Sequence, residues 1–219
     1  MPLKFKKTVK AKKERMNQII SLLSTEYPNP KIELDYSSPF ELLVATVMSA
    51  QCTDKRVNLV TKDLFKKYPT PMDYHIAPVE EIEQIIFSTG FYRAKAKNIK
   101  GIADAAVNKF DDSIPTTMEE LLSLPGVGRK SANVVLGHCF DTPGIVVDTH
   151  VIRLSNRLGF VDHKNPVKIE YELMKFVPSE VQVDFTHYLI LHGRRVCKSR
   201  RADCDNCLIC EVCPSFGIA

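Results

Sequence analysis

Leu121-Leu122-Ser123-Leu124-Pro125-Gly126-Val127-Gly128-Arg129-Lys130-Ser131-Ala132-Asn133-Val134-Val135 is the most informative stretch of the chain. Its pattern predicts a short helix ending at Leu124, a tight Pro-Gly-Val-Gly turn, and a second helix starting near Arg129. The two glycines permit positive φ and leave no side chain over the turn. Backbone N–H groups then face outward beside a helix N-terminus, where an anion is welcome. An ordinary αα-turn would explain a lone Gly-x-Gly. The longer string points to a helix-hairpin-helix that holds a nucleic-acid phosphate without reading sequence.

Arg129 and Lys130 would occupy the first turn of the second helix. The positive end of the helix dipole lies there, so each cation costs about 0.3–1 kcal/mol, which a bound phosphate can offset. The same field should lower the Lys130 pKa and favour its free amine, as a nucleophile or Schiff-base former requires. Eighteen residues on comes Val146-Val147-Asp148-Thr149-His150-Val151. After the turn at Asp141–Gly144 the chain doubles back, so Asp148 is expected near the start of the hairpin helix. Taken alone, Asp148 is better read as a helix N-cap. Beside a hairpin lysine, a carboxylate that accepts a proton and stabilises a developing cation is the stronger reading.

Away from the hairpin the pattern is helical almost throughout. Ser38-Pro39-Phe40-Glu41 reads as a helix start, with Ser as N-cap and Pro in the first turn. Residues 53–66, 79–88 and 94–110 repeat the three-and-four apolar spacing. Only Gly144-Ile145-Val146-Val147 looks strand-like. The expectation is an all-α protein of about ten helices, without internal repeats.

The 219 residues (24.8 kDa) suffice for one large or two small domains. A hydrophobic fraction of 44% and a charged fraction of 26% exclude a disordered chain. No apolar run approaches the roughly 20 residues of a membrane span. The N-terminus lacks a signal peptide's apolar core, so a cytoplasmic, nuclear or organellar protein is expected. The net charge of +4 is uneven: residues 1–15 carry seven bases and one acid, and the remainder is slightly acidic. A polyanion site must therefore be built by local clusters. Arg93, Lys95, Lys97 and Lys100 form one, and Arg194, Arg195, Lys198, Arg200 and Arg201 another. Solvated faces are the plainer reading of either cluster.

Five of the seven cysteines (Cys197, Cys204, Cys207, Cys210, Cys213) fall in the last 23 residues, while Cys52 and Cys139 stand alone. Such crowding reads as metal ligation rather than a disulfide scaffold. Four thiolates suit either zinc or an iron–sulfur cluster. Two ligand sets fit: Cys197 with Cys204, Cys207 and Cys213, or Cys204 through Cys213 with Cys197 free. The second crowds four ligands into ten residues and leaves little chain to wrap a cubane, so the first is expected, with Cys210 outside it.

These residues resemble the endonuclease III family of DNA glycosylase/AP-lyases, within the helix-hairpin-helix superfamily. The resemblance covers nearly the whole chain from about residue 15. It rests on Ser38–Leu43, Ser49-Ala50-Gln51-Cys52-Thr53-Asp54, the hairpin, Val147–Val151, Leu189-Ile190-Leu191-His192-Gly193-Arg194 and the cysteines. It implies two helical domains. One is a six-helix barrel carrying the hairpin, over residues 32–142. The other is formed by both termini, 1–31 and 143–219, and holds a [4Fe-4S] cluster on Cys197, Cys204, Cys207 and Cys213. The active site would lie in the groove between them.

The family's catalytic lysine and aspartate fall on Lys130 and Asp148. The substrate implied is duplex DNA with an oxidised pyrimidine or an abasic site. The damaged base is flipped out, Lys130 attacks C1′, and β-elimination cleaves the strand through the Schiff base. Gln51 and Phe91 match the side chains that fill the gap left by the flipped base. Phe91 departs from the leucine of the best-known members. Gly126, Gly128 and Arg129 of the hairpin, and Lys198, Arg200 and Arg201 of the loop between the first two cysteines, match DNA contacts. A monomer in the cytoplasm, associated with the nucleoid through DNA, is implied. Two other readings remain. An adenine glycosylase acting opposite 8-oxoguanine would lack the hairpin lysine and usually carry a further C-terminal domain, whereas this chain ends six residues after Cys213. A non-catalytic DNA-binding module would hold zinc.

Overall fold

The structure is a computed structural model that describes Phe5 and residues 8–218. The described residues form eleven α-helices and no strand. The all-α expectation holds. Of the basic residues counted in the N-terminal run, Lys4, Lys6 and Lys7 lie outside the described residues. The chain divides into two compact units, Glu33–Thr142, and Met1–Ile32 with Pro143–Ala219.

The Glu33–Thr142 unit holds seven helices, two of them only five or six residues long: α2 (Pro39–Met48), α3 (Asp54–Lys67), α4 (Pro71–Ile76), α5 (Val79–Ile86), α6 (Tyr92–Lys109), α7 (Met118–Leu122) and α8 (Arg129–Cys139). Helix α2 starts as its sequence dictates. Ser38 accepts the Glu41 N–H, and the Glu41 carboxylate turns back onto the Ser37 N–H and hydroxyl. Every residue from Leu42 to Met48 is buried, so α2 is the central helix of the unit. Half of the side chains that α6 buries are alanines, Ala96, Ala103 and Ala106, which lets it lie close against α4 and α5.

The basic cluster of residues 93–100 is not one cationic face. Arg93 and Lys97 are exposed. Lys100 instead donates to the carbonyls of Tyr74 and His75 at the end of α4. Lys95 is buried, and its ammonium donates to the Thr89 carbonyl at 2.8 Å.

The other unit contains α1 (Val9–Glu26), α9 (Thr149–Arg157), α10 (Pro166–Leu173) and α11 (Gln182–Arg195). Its core joins Met16, Ile19 and Leu23 of α1 to Val151 and Leu154 of α9, Ile169 and Leu173 of α10, and Phe185 and Leu189 of α11. Arg15, counted in the sequence as part of a basic tail, is buried. It stacks over Phe160 at 4.3 Å and donates to the Val212 carbonyl at 3.2 Å, tying α1 to the cysteine-rich end. The strand-like run Gly144–Val147 is a buried extended connector. Its Val146 N–H goes to the Thr186 hydroxyl at 3.0 Å, which replaces a strand partner.

Candidate active site and cysteine pocket

The hairpin forms where the sequence placed it, between α7 and α8. Leu121, Leu124 and Val127 are buried beneath the turn. Gly126 takes φ +74°, whereas Gly128 is extended at φ −99°, so only the first glycine is required by backbone conformation. A Cβ on Gly126 would also stand 2.6 Å from Cγ of Asn98, and a Cβ on Gly101 would stand 2.7 Å from Cγ of Pro125. In each pair one partner, Asn98 or Gly101, belongs to α6. The hairpin is therefore seated on α6 by two close approaches that the local sequence did not announce. At Gly128 a Cβ would meet nothing within 4 Å, so the turn is open on that side. Gly128 supplies no side-chain cap to α8. Lys130 is exposed in the first turn, next to a half-buried Arg129.

Asp148 lies in the other unit, as the N-cap of α9. Its Oδ1 accepts the Val151 N–H at 2.8 Å. The capping role is thus real, and it occupies one carboxylate oxygen. Two residues on, burial holds the His150 imidazole below its ordinary pKa, with Asp148 opposing that shift. His150 and Arg153 sit against Gly193 of α11, where a Cβ would stand 2.7 Å from Nδ1 of His150 and 3.0 Å from Nη2 of Arg153. Arg153 donates to the Gly193 carbonyl at 2.9 Å and to the Cys197 carbonyl at 3.0 Å. Gly193→Ala should therefore push α9 away from α11 and cost about 1–3 kcal/mol, a fall in Tm of roughly 3–10 °C. Thermal unfolding checks this; an unchanged Tm would mean that α9 and α11 are not held at this contact.

Gln51 and Phe91 are each exposed and left-handed, at φ 54° and 50°. Non-glycine residues rarely take this conformation, and such strain gathers at functional sites. Phe91 is 67% exposed and is therefore not a core aromatic. It is the N-cap of α6 without a side-chain cap, directly after Gly90 at φ 68°. Phe87, also exposed, packs its ring on Tyr92 at 4.8 Å, and the Arg93 guanidinium lies 4.8 Å from the Tyr92 ring centre.

The five C-terminal cysteines line one pocket, with Ile209, Leu154 and Leu158 among the apolar residues around them. Among the described residues, no three His, Cys, Asp or Glu side chains group as a site for a single metal ion. Arg157 donates from Nη1 to the Cys197 sulfur at 3.2 Å and to the Lys198 carbonyl at 2.8 Å, and from Nη2 to the Ser199 carbonyl. One guanidinium thus binds the first cysteine and the root of the exposed loop bearing Lys198, Arg200 and Arg201. His192, buried between Tyr27 and Cys207, is pushed down to about 4 by burial and is neutral near pH 7. Burial also pushes the Cys207 thiol up to about 11. Nothing in the sequence marked Arg153 or Arg157 beyond their helical setting, and His192 was marked only as part of the Leu189–Arg194 stretch.

The model of the HhH-GPD superfamily of base excision DNA repair proteins matches residues 44–179. The endonuclease III of Synechocystis is 48% identical over 206 residues, covering 94% of each chain. That of Escherichia coli is 41% identical over 201 residues, covering 92% of this chain and 95% of its own. The chain belongs to the endonuclease III family. It is a base-excision-repair enzyme, a DNA glycosylase with AP-lyase activity. A solved endonuclease III trapped as a covalent intermediate with DNA matches this endonuclease III fold with a TM-score of 0.86 at 44% identity, over 92% of this chain and 95% of that one. A non-covalent endonuclease III–DNA complex matches equally well. A thermostable thymine-DNA glycosylase, 22% identical with a TM-score of 0.84, shares the fold. No helix among the described residues is long and apolar enough to cross a membrane.

Proposed function

We propose that this enzyme acts as a monomer on duplex DNA, removing oxidised pyrimidines and cleaving the abasic strand through a Schiff base on Lys130. The observation that carries the reading is an exposed lysine in the uncapped first turn of α8, behind a positive-φ glycine hairpin. The N–H groups of Gly128 and Arg129 and the Arg129 side chain face a phosphate, while Gln51 and Phe91 fill the gap left by the flipped nucleotide. Nζ of Lys130 attacks C1′ and displaces the base, which leaves with the glycosidic electron pair and takes up a proton. Opening of the sugar ring gives the iminium. Loss of the C2′ proton then expels the 3′ phosphate, and water releases the enzyme. Asp148 takes the proton from Lys130 and steadies the cationic sugar, using the carboxylate oxygen that does not cap α9. The covalent intermediate formed by a 44%-identical endonuclease III fits a nucleophilic side chain of this kind. Duplexes carrying thymine glycol, an abasic site, or adenine opposite 8-oxoguanine, each with and without borohydride, test the reading. Cleavage and trapping are expected with the first two. Selective removal of adenine without trapping would replace it by the adenine-glycosylase reading.

Cys197, Cys204, Cys207 and Cys213 are proposed to hold a [4Fe-4S] cluster. Thiolates ringing a pocket suit a cluster several ångströms across better than one zinc ion, and iron would replace the protons that burial keeps on Cys207 and Cys213. When bound, the cluster supplies a cross-link and a local charge. Arg157 then presents Lys198, Arg200 and Arg201 to phosphate. Cys210→Ser should keep the brown colour and the activity, while Cys197→Ser should lose visible absorption and DNA affinity together. The reverse pattern of colour loss would show that Cys210 is the fourth ligand.

A further inference from the structure

Lys95 is the one lysine that the structure buries, at 4% exposure, among the described residues. Lysine is rarely buried unless it is paired, and desolvation of its ammonium is costly. Burial lowers its pKa, opposed by the nearby Cys52. At a purely structural position an apolar side chain of the same volume would serve stability as well or better. What Lys95 touches gives it another use. Its ammonium donates to the Thr89 carbonyl at 2.8 Å, and its backbone N–H donates to the Phe91 carbonyl at 3.1 Å. One residue therefore grips the chain on both sides of Gly90, at the place where Gly90 and Phe91 run through consecutive positive φ angles. Phe91 has no side-chain cap of its own to hold it there. Thr89, buried at 3% exposure, anchors the far side through its hydroxyl, which donates to the Ile86 carbonyl. The exposed, left-handed Phe91 is thus held from beneath by a buried cation.

We infer that Lys95 is a positioning residue, which fixes the Phe91 tip in the strained form that enters the duplex opposite the flipped nucleotide. This rests on the reading of Phe91 as a gap-filling side chain. Lys95 touches no reacting atom. It spares the enzyme the ordering of the tip on binding, and misplacement of a group by about 1 Å can cost up to about a hundredfold in rate.

The test compares Lys95→Met with the wild-type holoenzyme on two abasic substrates, a duplex and the same strand alone. The single strand has no orphan base and no gap to fill. The variant should keep its single-strand cleavage rate and lose about tenfold or more on the duplex. An independent readout is 2-aminopurine opposite a tetrahydrofuran abasic analogue. With the protein saturating, the wild type should quench the fluorophore by stacking Phe91 on it, and Lys95→Met should quench it markedly less. Equal loss on both substrates would reduce Lys95 to a structural role, and no loss on either would also overturn the inference. Phe91→Ala separates this from the underlying reading. If Phe91→Ala keeps duplex activity and quenching, the gap-filling role fails and the inference falls with it. If Phe91→Ala loses both and Lys95→Met loses neither, the inference alone fails. Should Lys95→Met not fold, Lys95→Gln, shorter and uncharged, is read on the same substrates by the same criteria.

Discussion

Lys130→Gln is expected to abolish borohydride trapping and to lower strand cleavage by at least about a thousandfold, as removal of a nucleophile does elsewhere. Glutamine keeps a polar, hydrogen-bonding side chain in the first turn of α8 but cannot form an imine. Because Lys130 is exposed, its replacement disturbs no packing, and the fold and Tm should be retained. Removing a cation from a helix N-terminus even relieves about 0.3–1 kcal/mol of unfavourable dipole interaction. Affinity for a non-cleavable abasic analogue should stay near that of the wild type, since the hairpin glycines and Arg129 remain. A Lys130→Gln protein that still traps to DNA would place the nucleophile elsewhere in the chain.

Asp148→Asn should lower turnover by about 10²–10⁴-fold, the range of a lost general base, with little change in stability. The structure makes this separation sharp. Oδ1 of Asp148 caps α9 through the Val151 N–H at 2.8 Å, and an asparagine carbonyl accepts the same bond. Asn and Asp are comparable N-caps, whereas Ala there costs about 0.5–2 kcal/mol. Asp148→Ala should therefore lose both activity and several degrees of Tm, and Asp148→Asn activity alone. A variant pair in which activity merely follows the folded fraction would leave Asp148 with the cap as its whole role.

The hairpin and the start of α2 were legible because their signals are local. Pro-Gly-x-Gly and Ser-Pro-x-Glu fix backbone and cap within four residues. The same locality misled at Gly128, whose φ of −99° any residue adopts, and whose value lies in the open space above it. What seats the hairpin was invisible, because Gly101 and Asn98 act from another helix. Charge counting failed for the same reason. Lys95, Lys100 and Arg15 read as solvated bases, yet each satisfies a backbone carbonyl within its own unit. Gly144–Val147 has strand composition, but among the described residues its Val146 N–H goes to a threonine hydroxyl rather than to a neighbouring strand. The cysteine spacing indicated a metal centre. Arg157, which joins Cys197 to the basic loop, is spaced forty residues from that cysteine and carried no signal.

The most direct measurement is the site of the covalent bond itself. The holoenzyme is incubated with an abasic duplex, reduced with borohydride, digested with nuclease and protease, and the sugar-modified peptide is sequenced by mass spectrometry. The expected result is a single adduct on Nζ of Lys130. An adduct on any other lysine, or on the N-terminal amine, would contradict the assignment of the hairpin lysine as the nucleophile.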